Sequence, residues 1–231
     1  MKLSIIIPVY NEQATILEIL KRVESIKYIQ KQIIIIDDGS SDETFKLINK
    51  FRFISEYKLI RHKSNFGKGS CIKSAQKYVS GNIVIIQDAD LEYDPCDYKI
   101  ILDQMILNHQ KVVYGSRVLN KKRYNEKNFI SNFRVFANHA LTIITNILFN
   151  QKLTDAHTCY KAFDSEIFKN IKLCENDFAF CPEITAKISK LRLKILEVPI
   201  SYFGRNYKQG KKISFYDGIR AILVLFKYRL F

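Results

Sequence analysis

Four consecutive isoleucines, Ile33 to Ile36, run straight into Asp37, Asp38, Gly39 and Ser40. A β-branched run of this kind is stiff at χ1 and fits a pleated strand better than a helix. Because it is apolar at every position and not at every second one, it has to be covered on both faces. That is the mark of a strand inside a parallel sheet with helices above and below. The theme recurs. "LSIII" (Leu3 to Ile7) ends at Pro8-Val9-Tyr10-Asn11-Glu12, and "IVII" (Ile83 to Ile86) ends at Gln87-Asp88-Ala89-Asp90. "KVVYGSR" (Lys111 to Arg117) and "KILEVPISYF" (Lys194 to Phe203) read as two further strands.

Helical spacing fills the intervals. Ile16, Leu17, Leu20 and Val23 predict a helix to about Lys27, with Asn11 as its N-cap; Phe45, Leu47 and Ile48 predict a second. A third runs from about Lys68 to Val79 and stops at Gly81. Pro95 is placed to be the first residue of a fourth, with Tyr98, Ile101, Leu102 and Met105 inward. Asn132 to Phe149 and a segment from Pro182 complete the set. Strands alternating with helices predict an α/β fold built on a mostly parallel sheet. The chain has no Gly-, Pro- or Ser-rich linker, low-complexity tract or repeat, so residues 1–231 are expected to form one two-part domain.

In open parallel sheets, ligands bind beyond the carboxyl ends of the strands. There, "IVIIQDADLEYDP" sets Asp88, Asp90, Glu92 and Asp94 within seven residues. An N-cap role accounts for Asp42 or Asp94 singly, but not for the set. Asp-x-Asp at a strand end offers two oxygen ligands on one side, which suits Mg²⁺ or Mn²⁺, and such a cation completes its shell with substrate phosphates. The expectation is a divalent cation that in turn holds a diphosphate. "NFGKGS" (Asn65 to Ser70) is not a Walker loop, because Gly69 separates Lys68 from Ser70. It is better read as a glycine-flanked lysine at a helix start, near the nucleotide.

Net charge narrows the partners. At +14 the chain calls for an anionic one: nucleic acid, a phosphorylated substrate or an anionic membrane. Clustered carboxylates would repel a nucleic-acid backbone, so no nucleic-acid partner is expected. The five cysteines are odd in number and lack a C-x-x-C pair, which predicts a reducing compartment with neither disulfides nor a zinc site. The N-terminal apolar run is too short for a signal peptide, and none reaches the roughly 20 residues that cross a bilayer. A cytoplasmic protein is expected. Two stretches could seat it on a membrane: Asn132 to Phe149, preceded by Lys121, Lys122, Arg123 and Lys127, and the C-terminus. In the latter, Ile219, Ile222, Leu223 and Phe226 form a stripe beside Arg220, Lys227 and Arg229. The reading is peripheral association with an anionic cytoplasmic leaflet, or recruitment by a membrane-embedded partner; homo-oligomerisation is left open.

"PVYNE", "DDGSSDET", "NFGKGS", "DADLEYDP", "GSR" and "EVPISY", in this order, resemble the family 2 glycosyltransferases. More narrowly they resemble the dolichol-phosphate mannose synthases and related polyprenyl-phosphate sugar transferases, over Leu3 to about Lys212. The resemblance implies a GT-A fold and inverting transfer from a nucleotide sugar (GDP-mannose or UDP-hexose) to a polyprenyl (dolichyl or undecaprenyl) phosphate with Mg²⁺ or Mn²⁺. It implies a donor half to about residue 117 and an acceptor half after it. Pro8, Tyr10, Glu12 and Asp38 would contact base and ribose, with Lys68, Asp88 and Ala89 also on the donor side. Asp88, Asp90 and Glu92 would surround the metal, and Arg117 and Arg205 would face phosphates. Two positions depart from the pattern: Glu92 stands where Gln is frequent, and Cys159 where Gly is usual. A lipid phosphate, largely dianionic near pH 7 (second pKa about 6), needs no strong base. A sugar-hydroxyl acceptor, the alternative, would need one, and Asp155 is the candidate. His139 and His157 are read as structural.

Overall fold

The computed structural model describes residues 1–120, 129–205 and 215–231. Among them, β1 (Lys2–Val9), β2 (Gln30–Asp37), β3 (Glu56–Arg61), β4 (Ile83–Ile86), β5 (Val112–Ser116), β6 (Lys161–Asp164) and β7 (Leu196–Pro199) form one sheet. Its order is β3-β2-β1-β4-β6-β5-β7. All pairings are parallel except those of β6, which runs antiparallel to both β4 and β5. The isoleucine run lies in β2, where Ile33, Ile34, Ile35 and Ile36 are all fully buried, as two-sided coverage requires.

The helices are α1 (Ile16–Ser25), α2 (Thr44–Lys50), α3 (Lys68–Gln76), α4 (Tyr98–Leu107), α5 (Phe129–Phe149), α6 (Ser165–Asn170), α7 (Phe180–Lys190) and α8 (Phe215–Leu230). Pro95 opens a 3-10 turn, Pro95–Asp97, that leads into α4, and Asp94 caps it by accepting from the Cys96 amide. Several expectations are corrected. Asn11 does not cap α1, whose N-cap is Thr15. Asn11 takes φ 49° and joins two loops instead: its amide donates to Ser40 Oγ and its Oδ1 accepts from the Ser41 amide. The third helix ends at Gln76, and the one expected from Pro182 begins at Phe180. β3 and β6 were not foreseen. β3 is an edge strand with exposed Glu56, Tyr57 and Lys58, and β6 is four residues long and begins with a lysine.

The C-terminal helix is apolar on two faces. Val224, Leu225 and Tyr228 pack against Phe149 of α5 and against Ala179 and Ala186 at α7. Ile219, Leu223, Phe226 and Leu230 point outward. Two of the basic residues expected to meet a membrane are committed inward. Arg220 pairs with Glu175 and Asp177, and Lys227 donates to Glu175 at 2.7 Å. Lys121, Lys122, Arg123 and Lys127 lie outside the described residues. Among those described, no helix is long and apolar enough to cross a membrane.

Candidate functional site

Every parallel strand delivers its C-terminal loop to one edge of the sheet. β6 runs the other way, so its beginning reaches that edge. The segment Thr154 to Tyr160 therefore meets the loops after β4 and β5, and Glu197 of β7, although it precedes its strand.

At this edge Arg205 sits among three acids. Its guanidinium lies 2.7 Å from Asp90 Oδ2 and 3.1 and 3.2 Å from the two Glu12 oxygens. Its backbone amide donates to Glu92 Oε1 at 2.7 Å, and Tyr202 OH donates to Glu92 Oε2 at 2.9 Å. Both oxygens of Glu92 are thus engaged by the segment after β7. The acidic loop turns through Leu91 at φ 61°, a strained conformation for leucine. Burial, then the charges of Asp88 and Glu92, push the Asp90 carboxyl up to about 7, against the pull of Arg205. Carboxylates this crowded, with hard oxygen donors, fit a divalent cation. Asp88, Asp90 and Glu92 are the residues that would hold it; here Asp88 pairs with Lys68, Asp90 with Arg205, and Glu92 with Tyr202 and the Arg205 amide.

Asp88 pairs with the ammonium of Lys68, which also lies 3.1 Å from Cys159 Sγ. Burial opposes the charge on Lys68, but Asp88 beside it holds the ammonium well above its ordinary range. Lys68 is brought there by α3, whose first turn follows Gly67 at φ 93°. A side chain at Gly67 would place its Cβ 2.5 Å from the Asn176 carbonyl oxygen, so the close approach requires glycine.

Asp38, expected on the base and ribose, uses its carboxylate inside the protein. It accepts from the Phe66 and Gly67 amides at 3.0 and 2.7 Å and lies 2.6 Å from His62 Nδ1. It holds the Lys68 loop on the end of β2. Asp38, His62 and Cys71 offer ligand atoms within 4.8 Å of one another. The Asp38 oxygens already engage the two amides and His62, and so the cluster anchors the loop. Pro8 and Tyr10 lie half-buried at the end of β1, and Ala89 is buried beside Asp88.

Arg117, directly after β5, was expected to face phosphate, and Asp155 to serve as a base were the acceptor a hydroxyl; the structure pairs them. Arg117 Nε and Nη2 each donate to Asp155 at 2.7 Å, and the Arg117 amide adds a third bond at 3.1 Å. Burial alone would raise the Asp155 pKa, but the guanidinium holds it below the usual carboxylate range, which makes Asp155 a weak base. The second Arg117 terminal nitrogen, Nη1, takes no partner among the described residues. The Arg117 guanidinium carbon lies 5.2 Å from the Tyr202 ring centroid.

Four residues at this edge carried no role in the sequence reading: His62, Lys161, Glu197 and Tyr202. Fully buried Lys161 donates to the Ala156 and Thr158 carbonyls at 2.8 and 2.9 Å, and so ties down the loop carrying Asp155. Glu197 and Tyr202 lie in or beside "EVPISY", which flagged the segment but not its contacts. His157 is half-buried, and desolvation depresses its pKa to about 4, so it stays neutral.

The profile described as glycosyl transferase family 2 matches residues 4–172. A dolichyl-phosphate beta-glucosyltransferase of Trichomonas vaginalis is 26% identical over 99% of this chain and 73% of its own. A UDP-N-acetylglucosamine–dolichyl-phosphate N-acetylglucosaminyltransferase of Methanococcus voltae is 26% identical over 98% of this chain and 95% of its own. Among solved structures, glucosyl-3-phosphoglycerate synthase of Mycobacterium tuberculosis, in complex with Mn²⁺, UDP and glucosyl-3-phosphoglycerate, matches with a TM-score of 0.71. That match is at 14% identity, over 98% of this chain and 79% of that one, and shows a shared GT-A fold.

Proposed function

Because the chain belongs to glycosyl transferase family 2 and is a glycosyltransferase related to the polyprenyl-phosphate sugar transferases, we propose that it moves one sugar from a nucleotide sugar to a polyprenyl phosphate, with inversion at the anomeric carbon. The observation that carries this reading is the pairing of two poles at one sheet edge. One pole is acidic, around Asp88 and Asp90. The other is Arg117, whose Nη1 has no partner among the described residues while Asp155 fixes its plane.

On this reading Pro8, Tyr10, Glu12 and Asp38 border the base and ribose, Asp38 by holding its loop. Lys68 and Ala89 lie beside the donor. Asp88, Asp90 and Glu92 would hold Mg²⁺ or Mn²⁺; bound there, the cation neutralises charge on the departing diphosphate. Arg117 meets the acceptor phosphate through Nη1. Arg205 lies at the acidic pole, facing the donor phosphates, because Glu12 and Asp90 hold it there. The chemistry is then positioning and electrostatic stabilisation, because a dianionic phosphate attacks without a base. A hydroxyl acceptor would need Asp155 to take a proton, and its bidentate pairing with Arg117 speaks against that. We read residues up to about 117 as the donor side and the rest as the acceptor side. A lipid acceptor places the protein at a cytoplasmic membrane face, where the outer stripe of α8 is the surface to meet it.

The test is to incubate the protein and Mn²⁺ with GDP-mannose, UDP-glucose and UDP-N-acetylglucosamine in turn, each with a short polyprenyl phosphate. Labelled lipid from one donor supports the proposal. No lipid product from any of them overturns it.

A further inference from the structure

Glu197 makes three hydrogen bonds to a two-residue turn: Oε2 accepts from the Thr154 amide at 2.6 Å and from its hydroxyl at 2.8 Å, and Oε1 accepts from the Asp155 amide at 2.8 Å. β7, which carries it, is a four-residue edge strand, and Glu197 pairs in register with Tyr114 of β5. A half-buried carboxylate needs its oxygens satisfied, and among the described residues this turn supplies all three of its hydrogen bonds. Burial pushes the Glu197 pKa up, with the turn's donors opposing it.

What the turn presents is Asp155, whose two oxygens clamp Nε and Nη2 of Arg117. A bidentate clamp fixes a guanidinium in a plane as well as in position. On the far side, the Arg117 guanidinium lies over Tyr202, whose hydroxyl donates to Glu92 in the acidic loop. A line of contacts therefore runs from Glu197 through Asp155, Arg117 and Tyr202 to Glu92. Arg117 is its middle member, and its Nη1 has no partner among the described residues.

We propose that Glu197 is a positioning residue for sugar transfer: through Thr154 and Asp155 it sets the plane of Arg117, and with it the direction in which Nη1 meets the acceptor. This rests on the reading that Arg117 faces the acceptor. Glu197→Gln puts an amide NH₂ against donors of the Thr154–Asp155 turn and so loosens it at nearly constant volume. The expected result is a fall in turnover of about 10- to 100-fold, a raised KM for acceptor, and a dissociation constant for the nucleotide diphosphate within about twofold of wild type. Because Glu197 acts through Asp155, the double variant Glu197→Gln/Asp155→Asn should turn over no more slowly than Asp155→Asn alone. A residue that only supports the fold would give losses that multiply and a donor affinity that falls with turnover. That pattern, or wild-type turnover in Glu197→Gln, overturns the proposal. Should Glu197→Gln yield no folded protein, Glu197→Asp keeps both oxygens on a shorter stem and is read by the same criteria. The assay uses whichever acceptor the wild-type protein accepts. The choice of acceptor judges the proposed function, and the ratio of variant to wild type judges Glu197.

Discussion

Asp90 shows how far a residue's chemistry departs from its identity. The motif Asp-x-Asp announces a carboxylate, but burial beside Asp88 and Glu92 moves its titration to about 7. The raised value means that the folded protein holds this proton more tightly than the unfolded chain. Asp90 therefore favours the fold below its ordinary range near 4, and that contribution is lost as pH rises through 7. A divalent cation needs the ionised form. Mn²⁺ affinity should climb as pH rises from 5 to 7 and level off above, by up to about tenfold per unit. Calorimetric titration reads this directly, and Mn²⁺ should raise the melting temperature more at pH 8 than at pH 5. In Asp90→Asn the climb should flatten and most activity should go; an unchanged pH profile in that variant would place the cation elsewhere. Arg117 gives a second prediction. Arg117→Lys keeps the charge but loses the planar fork that Asp155 grips. Transfer should drop strongly while donor binding stays nearly constant. Equal losses in both would put Arg117 on the donor diphosphate instead. The acids and arginines were legible as residue types at strand ends. Their pairings were not, since Arg205 meets Asp90 and Glu12 across 115 and 193 positions of chain, a closeness only the fold creates.

At the scale of elements, the long apolar strands were legible because burial on both faces demands continuous β-branched residues. β3 was missed because its exposed edge relaxes that demand, and β6 because Lys161 opens it. Yet Lys161 is fully buried, its ammonium over the Tyr114 ring at 4.0 Å and capped by loop carbonyls. The antiparallel course of β6 also could not be read from its own residues, and it is what brings Asp155 and Cys159 to the site. The C-terminal helix was half legible: its stripe is real, but Arg220 and Lys227 serve the body through Glu175. Removing α8 would therefore strip Leu225 and Val224 from a packed cluster and confound any membrane test. The pair Leu223→Glu and Phe226→Glu changes only exposed positions, 65% and 47% accessible. Stability should stay within about 0.5 kcal/mol per site. Flotation with anionic vesicles at low salt should fall severalfold relative to wild type. Equal flotation of variant and wild type would remove α8 from the docking surface.

Across the whole molecule, the sheet explains why a strongly cationic chain concentrates its acids at one edge. Six strands share a direction, their loops converge, and carboxylates of Glu12, Asp88, Asp90 and Glu92 are gathered and held by Lys68 and Arg205. The remaining positive charge suits anionic partners on the outside, including a phosphorylated lipid in its bilayer. The central claim is that the acceptor is a phosphate. The direct measurement is a competition with one labelled nucleotide sugar and Mn²⁺, in which a polyprenyl phosphate, the matching polyprenol and a soluble sugar acceptor are offered together. The account predicts label in the phosphorylated lipid alone, and none when EDTA exceeds the metal. Label in the polyprenol or the soluble sugar at a comparable rate, or full transfer in EDTA, would contradict it.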